Sequence, residues 1–356
     1  MKYGMIKNTK IFLTHIKIIQ EKISTHVIGV QLALNLGIIG YRKHAGKLIS
    51  YIEKRSDCKM NFIYHPTKKL QDERCTNNLS DLYNCDAIII SSPNDTHFEY
   101  MKKLTQKFSG YIFCEKPPIT NIDELQGLDN FSIEDKKRIF FDFMFRFSEL
   151  NEIIKKEIIS DRLGQIIHID ITMSKGLAFK KEYLNSWRAD GENNLHNILD
   201  ANTIHYIDLI SLHFGKIKKI HYIPSLISKN GTSFDTSYVI IKYGNDITLS
   251  VFNSYATPMI NEISIIGTNG HLTMRNNKLE IYSPRDTFDT NGLFISPPKV
   301  VSKNFSLSED VENSLEKSLD YFINIIKMKK EVPIKYFETS IETNKIILEL
   351  KNMQTN

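Results

Sequence analysis

Leu36-Gly37-Ile38-Ile39-Gly40-Tyr41-Arg42-Lys43-His44-Ala45-Gly46 is the stretch on which the reading of this chain turns. Leu34 to Ile39 reads as a buried strand that stops at a glycine. Ala45 to Lys54 follows, with Leu48, Ile49 and Ile52 at helical spacing. A strand, a glycine turn and a helix in that order can seat a pyrophosphate on the helix N-terminus. Gly40 fits the tight turn, and Ala45 fits the small residue needed where helix and strand pack. Arg42 stands where the backbone should approach the phosphates. It either closes that approach, swings out to pair with a phosphate, or is a surface arginine in an ordinary turn.

Working outward, Lys59 to Tyr64, Ala87 to Ile90, Tyr111 to Cys114 and Arg138 to Met144 read as further strands. Asn78 to Tyr83, His97 to Phe108 and Ile122 to Leu128 read as helices. This alternation predicts right-handed βαβ units and a parallel sheet covered on both faces. Ligands would then bind beyond the strands' carboxyl ends. Later the pattern changes. Gly164 to Ser174, Ser237 to Tyr243, Ile247 to Ser254 and Glu262 to Gly267 alternate in polarity. Asn230-Gly231 and Tyr243-Gly244-Asn245 mark turns, and Leu315 to Lys327 and Ser340 to Leu350 read as closing helices that pack back on the chain. The expected fold class is α/β. Residues 34–147 form a dinucleotide-binding domain, and residues 148–356 an α/β domain with a large open, mainly antiparallel sheet. Residues 1–33 remain as an N-terminal extension. Ile11, Phe12, Ile16, Ile19 and Ile23 recur there at helical spacing. The segment is a short surface helix, a frayed end, or the product of a start read too early, with Val30 or Leu32 as the true first residue.

A length of 356 residues suits two domains of about 150 each. Hydrophobic residues at 41% supply a core, and charged residues at 24% exclude disorder throughout. A net charge of +5 is too mild to argue for nucleic acid. The basic segment Lys216-Ile217-Lys218-Lys219 reads as a solvated strand edge or turn. No apolar stretch is long enough to span a membrane. Cys58, Cys75, Cys85 and Cys114 form no C-x-x-C pair, which excludes a disulfide scaffold and a cysteine zinc site and points to reduced, cytoplasmic thiols. His205, Asp208 and His213 make no compact ligand cluster, so no metal is expected. After the second strand, Tyr64-His65-Pro66-Thr67-Lys68-Lys69 offers no carboxylate for an adenosine ribose. His65 and Lys68 would instead welcome a 2′-phosphate, a slight preference for NADP over NAD; a solvated loop reads the same way.

Three motifs carry the chemistry. The third strand runs into Ser91-Ser92-Pro93-Asn94-Asp95-Thr96-His97, and the fourth into Glu115-Lys116-Pro117-Pro118. A later helix carries His205-Tyr206-Ile207-Asp208, after Ser186-Trp187-Arg188. Lys116, at the edge of a buried strand, is placed to exchange a hydroxyl proton, because desolvation brings a lysine towards neutrality. His205 is its natural acid/base partner, or else a satisfied core histidine, and Asp208 shares its helix face. In this order and spacing the motifs resemble the Gfo/Idh/MocA family of NAD(P)-dependent sugar and polyol oxidoreductases, from about Leu36 to the C-terminus. The Glu-Lys-Pro turn is the most specific element. Ile265 to Gly270, Pro284 to Phe288 and Ser296 to Pro298 also look like the family's second domain.

The resemblance implies a Rossmann domain and an α/β domain whose open sheet often forms the oligomer interface. A homo-oligomer, dimer or tetramer, is therefore expected, with a sugar-like small molecule as substrate. Lys116 and His205 are the implied catalytic pair. Gly40, Tyr41, Arg42, His44, Ala45, His65, Lys68, Ser92, Pro93, Asn94, His97, Glu115, Lys116, Trp187 and Arg188 are the cofactor contacts. Lys116 and His205 are also substrate contacts; Arg146 and Tyr183 are weaker pocket candidates, each equally readable as structural. One departure matters. Four residues before the helix histidine the family usually has an acidic or amide residue that grips substrate, and here Ala201 stands there. On a regular helix Asn202 shares the face of His205 and Asp200 does not, so the contact falls to Asn202. His196 and Asn197 also replace a stretch that is commonly glycine. With Arg42, these departures keep open a catalytically silent cofactor- or sugar-binding regulator on the same fold.

Overall fold

The computed structural model describes residues 33–192 and 198–353. Almost all of the N-terminal extension, together with His196 and Asn197, lies outside them. The first sheet contains β1 (Leu34–Ile39), β2 (Cys58–Tyr64), β3 (Cys75–Thr76), β4 (Ala87–Ile90), β5 (Tyr111–Cys114) and β6 (Ile139–Phe141). All pair in parallel, in the order β3-β2-β1-β4-β5-β6. Helices α1 (Lys43–Glu53), α2 (His97–Lys107), α3 (Ile122–Asp129) and α4 (Ile133–Lys136) connect them. The side chains of β4 are buried throughout, because a parallel sheet is covered on both faces. Ile88 and Ile90 pack with Met101 and Leu104 of α2. Ala87 and Ile89 face Leu48 and Ile52 of α1.

Two readings of this half need correction. The expected strand Arg138 to Met144 is only β6, because the apolar run continues past Phe141 while Met144–Phe147 folds into a 3-10 turn. Asn78 to Tyr83 is likewise a 3-10 turn, Leu79–Asn84, capped by the Asn78 side chain.

After α5 (Glu149–Ser160) the second sheet opens with β7 (Ile166–Ser174). It continues through α6 (Ile204–Phe214), β8 (Ile217–Ser225), β9 (Thr236–Tyr243), β10 (Thr248–Ser254), β11 (Ile260–Gly267), β12 (His271–Arg275), β13 (Lys278–Tyr282) and β14 (Lys299–Asn304). The order is β14-β13-β12-β11-β7-β10-β9-β8, antiparallel except for the parallel β7–β10 pair. One face buries Ile169, Ile171, Val239, Leu249 and Val251 with Ile204 and Ile207 of α6. The chain closes with α7 (Leu307–Lys327) and α8 (Ile334–Asn352). Both start earlier than periodicity suggests. Ser306 accepts from the Glu309 amide to cap α7, half of a Ser-x-x-Glu capping box, and α8 begins directly after Pro333. Both return to the first sheet. Phe322 of α7 packs on Phe113 and Phe140, and Tyr336 of α8 stacks on Phe140 at 4.7 Å. No helix of the described residues is long and apolar enough to cross a membrane.

Candidate active site

Strand order reverses between β1 and β4, so their carboxyl ends frame a crevice. Gly40 ends β1 with φ +115°, and a Cβ there would lie 2.4 Å from the Ser91 carbonyl oxygen. Only glycine fits this position, for both its conformation and its neighbour. Arg42 is the residue just before α1, in extended conformation and exposed. Its side chain makes no capping hydrogen bond to the turn. His65 accepts from the Thr67 and Lys68 amides through Nδ1, at 3.2 and 2.9 Å. Burial, then Lys68, then Arg42 lower the pKa of its imidazole, so the three cationic-type side chains share one corner. His97 is buried and ties two loops together, with ring nitrogens 2.8 Å from the Pro117 carbonyl and 3.0 Å from that of Ser92. Ser92 and Thr96 close the same loop at 2.7 Å.

Lys116 follows β5, with a cis peptide to Pro117. Its Nζ donates to the Asp200 and Ala201 carbonyls, both at 2.8 Å. Residues Leu199–Thr203, leading into α6, form a π turn, which is what aims these carbonyls out of the helix. Burial lowers the lysine to about 8, although Glu115 and Asp200 pull the other way. Glu115 meets His44 at 2.5 Å. Burial pushes its carboxyl up, but His44 and Lys116 outweigh that and hold it below the usual range. His44 is raised in turn, chiefly by Glu115. Asp142, behind them, is raised well above normal by burial and by the Glu115 charge, and accepts from Ser318 at 2.5 Å. The liganding atoms of His44, Glu115 and Asp142 lie within 4.8 Å of one another.

His205 stacks on Phe145 at 4.8 Å, and its buried Nδ1 has no hydrogen-bond partner among the described residues. Burial first, then Lys116 and His44, drive its pKa well below normal. Each of these causes favours the uncharged ring. Arg188 lies over Trp187 at 4.2 Å, and its charge reaches Lys116. Its buried Nε and the Tyr255 hydroxyl have no hydrogen-bond partner among the described residues, though the two side chains are close enough to interact.

Two domain models span most of this architecture. Residues 34–143 match the oxidoreductase family with the NAD-binding Rossmann fold, and residues 152–273 match the GFO/IDH/MocA C-terminal domain. The chain belongs to the Gfo/Idh/MocA oxidoreductase family. A glucose-6-phosphate 3-dehydrogenase of Bacillus subtilis (strain 168) is 26% identical over 126 residues, 35% of this chain and 35% of that protein. An inositol 2-dehydrogenase of Rhizobium meliloti (strain 1021) is 25% identical over 131 residues, 37% of each. These matches span little more than a third of either relative. The fold extends further. An oxidoreductase from Thermotoga maritima superposes with a TM-score of 0.73 at 16% identity, covering 90% of this chain and 96% of that one. The WlbA dehydrogenase from Bordetella pertussis, solved with NADH and UDP-GlcNAcA, gives 0.71 at 16%, covering 91% and 96%.

Three of the candidate substrate contacts have other partners or settings here. Arg146 is buried in a two-bonded ion pair with Asp208, at 2.6 and 2.8 Å. That occupies its guanidinium and also takes Asp208 away from His205. Tyr183 is buried against Tyr255, and its hydroxyl donates to the Arg188 carbonyl at 3.2 Å, so it supports the Trp187-Arg188 loop from behind. Asn202 lies half-buried in the π turn, where regular-helix spacing does not hold. The structure also brings in residues that the sequence reading missed. Asp142 lies behind Glu115, its carboxyl pushed up by burial and by the Glu115 charge. Lys351 of α8 pairs with the buried Asp200 at 2.6 Å. Lys175, at the end of β7, stands over Tyr255, and its charge reaches Arg188. Such partners come from distant elements, and no local motif announces them.

Proposed function

We propose that this chain is an NAD(P)-dependent dehydrogenase or reductase acting on a hydroxyl or carbonyl carbon of a sugar, nucleotide sugar or polyol. The supporting observation is a half-satisfied lysine of lowered pKa, set between a glycine-turn crevice and buried polar atoms of His205 and Arg188 that have no hydrogen-bond partner among the described residues. Buried polar groups without partners are costly and ask for a ligand with matching hydroxyls. The crevice fits a dinucleotide, since Gly40 lets backbone approach and α1 presents its N-terminus. The nicotinamide would exchange the hydride. Lys116 takes the hydroxyl proton as an amine in oxidation and returns it as an ammonium in reduction. His205, kept neutral, orients the same hydroxyl by a hydrogen bond. Arg188 and Lys175 place positive charge at the mouth, which suits a substrate bearing a carboxylate or phosphate.

Arg42, His65 and Lys68, with no carboxylate at the end of β2, favour NADP over NAD. We assign residues 34–147 to cofactor binding and residues 148–356 to substrate binding and self-association through the open sheet. The four free thiols suit the cytoplasm. The test is turnover with a sugar and polyol panel in wild type and Lys116→Ala, alongside NADPH and NADH titrations followed through Trp187, the single tryptophan. Loss of turnover with retained cofactor binding supports the assignment. A fully active Lys116→Ala removes the mechanism. Cofactor binding without turnover on any substrate favours the silent regulator.

A further inference from the structure

A second cavity, of about 1040 Å³, opens between α5, α6, α8 and the start of β8. None of Lys116, His205 or Arg188 lines it. Its floor is the Arg146–Asp208 ion pair, and one wall is aromatic. Phe147 and Tyr321 lie 5.0 Å apart, and Tyr321 stacks on Tyr336 at 6.4 Å. Its charge is lopsided. Seven cationic side chains line it against three carboxylates, a surplus of four in a chain whose net charge is +5. Three of the lysines have acidic neighbours within ion-pair distance: Lys155 has Glu152, Lys218 has Asp246 and Lys345 has Glu342. Lys216, Lys219 and Lys335 have none among the described residues.

Two local features build this rim. The pairing of β8 with β9 sets Ile217 opposite Tyr243 and Lys219 opposite Lys242, so Lys218 is an inserted bulge residue. A bulge re-aims side chains that a regular strand would send to alternate faces. Lys335 stands in the first turn of α8, which carries no acidic residue there. A cation at that end opposes the helix dipole and is disfavoured unless an anion is present. Neutralising the C-terminus of α6 would use one lysine and leaves the others unexplained.

We propose that this cavity is a second binding site, for a nucleotide-like anion. Its phosphates would meet Lys216, Lys219 and Lys335, and its planar base would rest against Tyr321 and Phe147. The volume lies just above the roughly 300–1,000 Å³ typical of small-molecule sites. This site is independent of the hydride-transfer reading, since the two share no side chain assigned to catalysis.

Calorimetric titration of the full chain with ADP, and separately with inorganic pyrophosphate, tests it. ADP is expected to bind with salt-sensitive affinity and more tightly than pyrophosphate. The double variant Lys216→Glu/Lys219→Glu should weaken ADP roughly tenfold or more, since two charge-assisted contacts become repulsions. Tyr321→Ala should bring ADP down to the level of pyrophosphate. Arg42→Ala, at the dinucleotide turn, should leave this binding in place. These lysines are exposed, so unchanged thermal melting shows that the variant stays folded. Absence of ADP binding at millimolar concentration overturns the proposal. So does equal binding by the lysine variant, or loss confined to Arg42→Ala, which would put the anion at the cofactor turn.

Discussion

Lys116 shows how much one side chain inherits from its surroundings. Burial holds it at about 8, against an ordinary 10.5. The oxidation rate should therefore rise with pH and level off above about 8, while reduction falls over the same range. kcat/KM measured in both directions from pH 6 to 10 checks this, and a flat profile would exclude Lys116 as the proton carrier. Stability should follow the same group. Between about 8 and 10.5 the unfolded chain keeps this proton and the folded chain does not, so unfolding takes up a proton and stability from this group rises with pH. Lys116→Met should flatten that rise in urea melts at pH 8 and 10. Lys351 is a second case. Removing its charge as Lys351→Met strips a buried carboxylate, Asp200, of its cation. The expected loss is about 3–5 kcal/mol by urea unfolding, with much of it restored in Lys351→Met/Asp200→Asn. The Glu-Lys-Pro turn made Lys116 readable because its neighbours are sequential. Lys351 was not readable, because its partner lies on another helix and no spacing connects them.

At the scale of elements, reading succeeded where most of a strand is buried. Leu34 to Ile39, Ala87 to Ile90 and Tyr111 to Cys114 are found as read, because a strand covered on both faces is largely apolar. It failed where apolarity and backbone part company. Phe143 and Phe145 prolong the run of β6, yet they pack around His205 from a 3-10 turn rather than a strand. The π turn at Leu199–Thr203 was equally hidden, since hydrophobic spacing assumes 3.6 residues per turn. The start of α7 was available in Ser306-Leu307-Ser308-Glu309 but masked by polar residues along its first turns. Ser306→Ala should lower stability by about 1 kcal/mol in urea, the usual worth of a capping side chain. Gly40→Val acts differently. Its Cβ would collide with the Ser91 carbonyl at the mouth of the crevice, so NADPH titration should show binding abolished while far-ultraviolet dichroism stays close to wild type.

For the whole molecule, the open question is the outer face of the second sheet. Its inner face is filled by α6, and the outer face has no helix of its own among the described residues. By strand alternation that outer face carries Tyr238, Ile240, Phe252 and Ile266, with Ile223 towards the β8 edge. Ile223 and Ile266 are 57% and 38% exposed. Eight strands spaced about 4.8 Å apart and about seven residues long offer roughly 800 Å², the area that each partner buries in an interface of ordinary size. That face is mixed, with Asp170, Thr172, Ser250 and Glu262 in register beside the apolar side chains, and a second copy would take the exposed isoleucines out of water. Self-association through this face is therefore expected at micromolar concentration by sedimentation velocity. Ile266→Glu with Phe252→Glu should shift the protein to monomer, because each new carboxylate would be desolvated in the interface and meet its symmetry mate's like charge. The crevice lies on the other domain, so cofactor titration should be unaffected in that monomer. A wild-type monomer at these concentrations, or an oligomer that survives both substitutions, would mean that the sheet is covered by something other than a second copy.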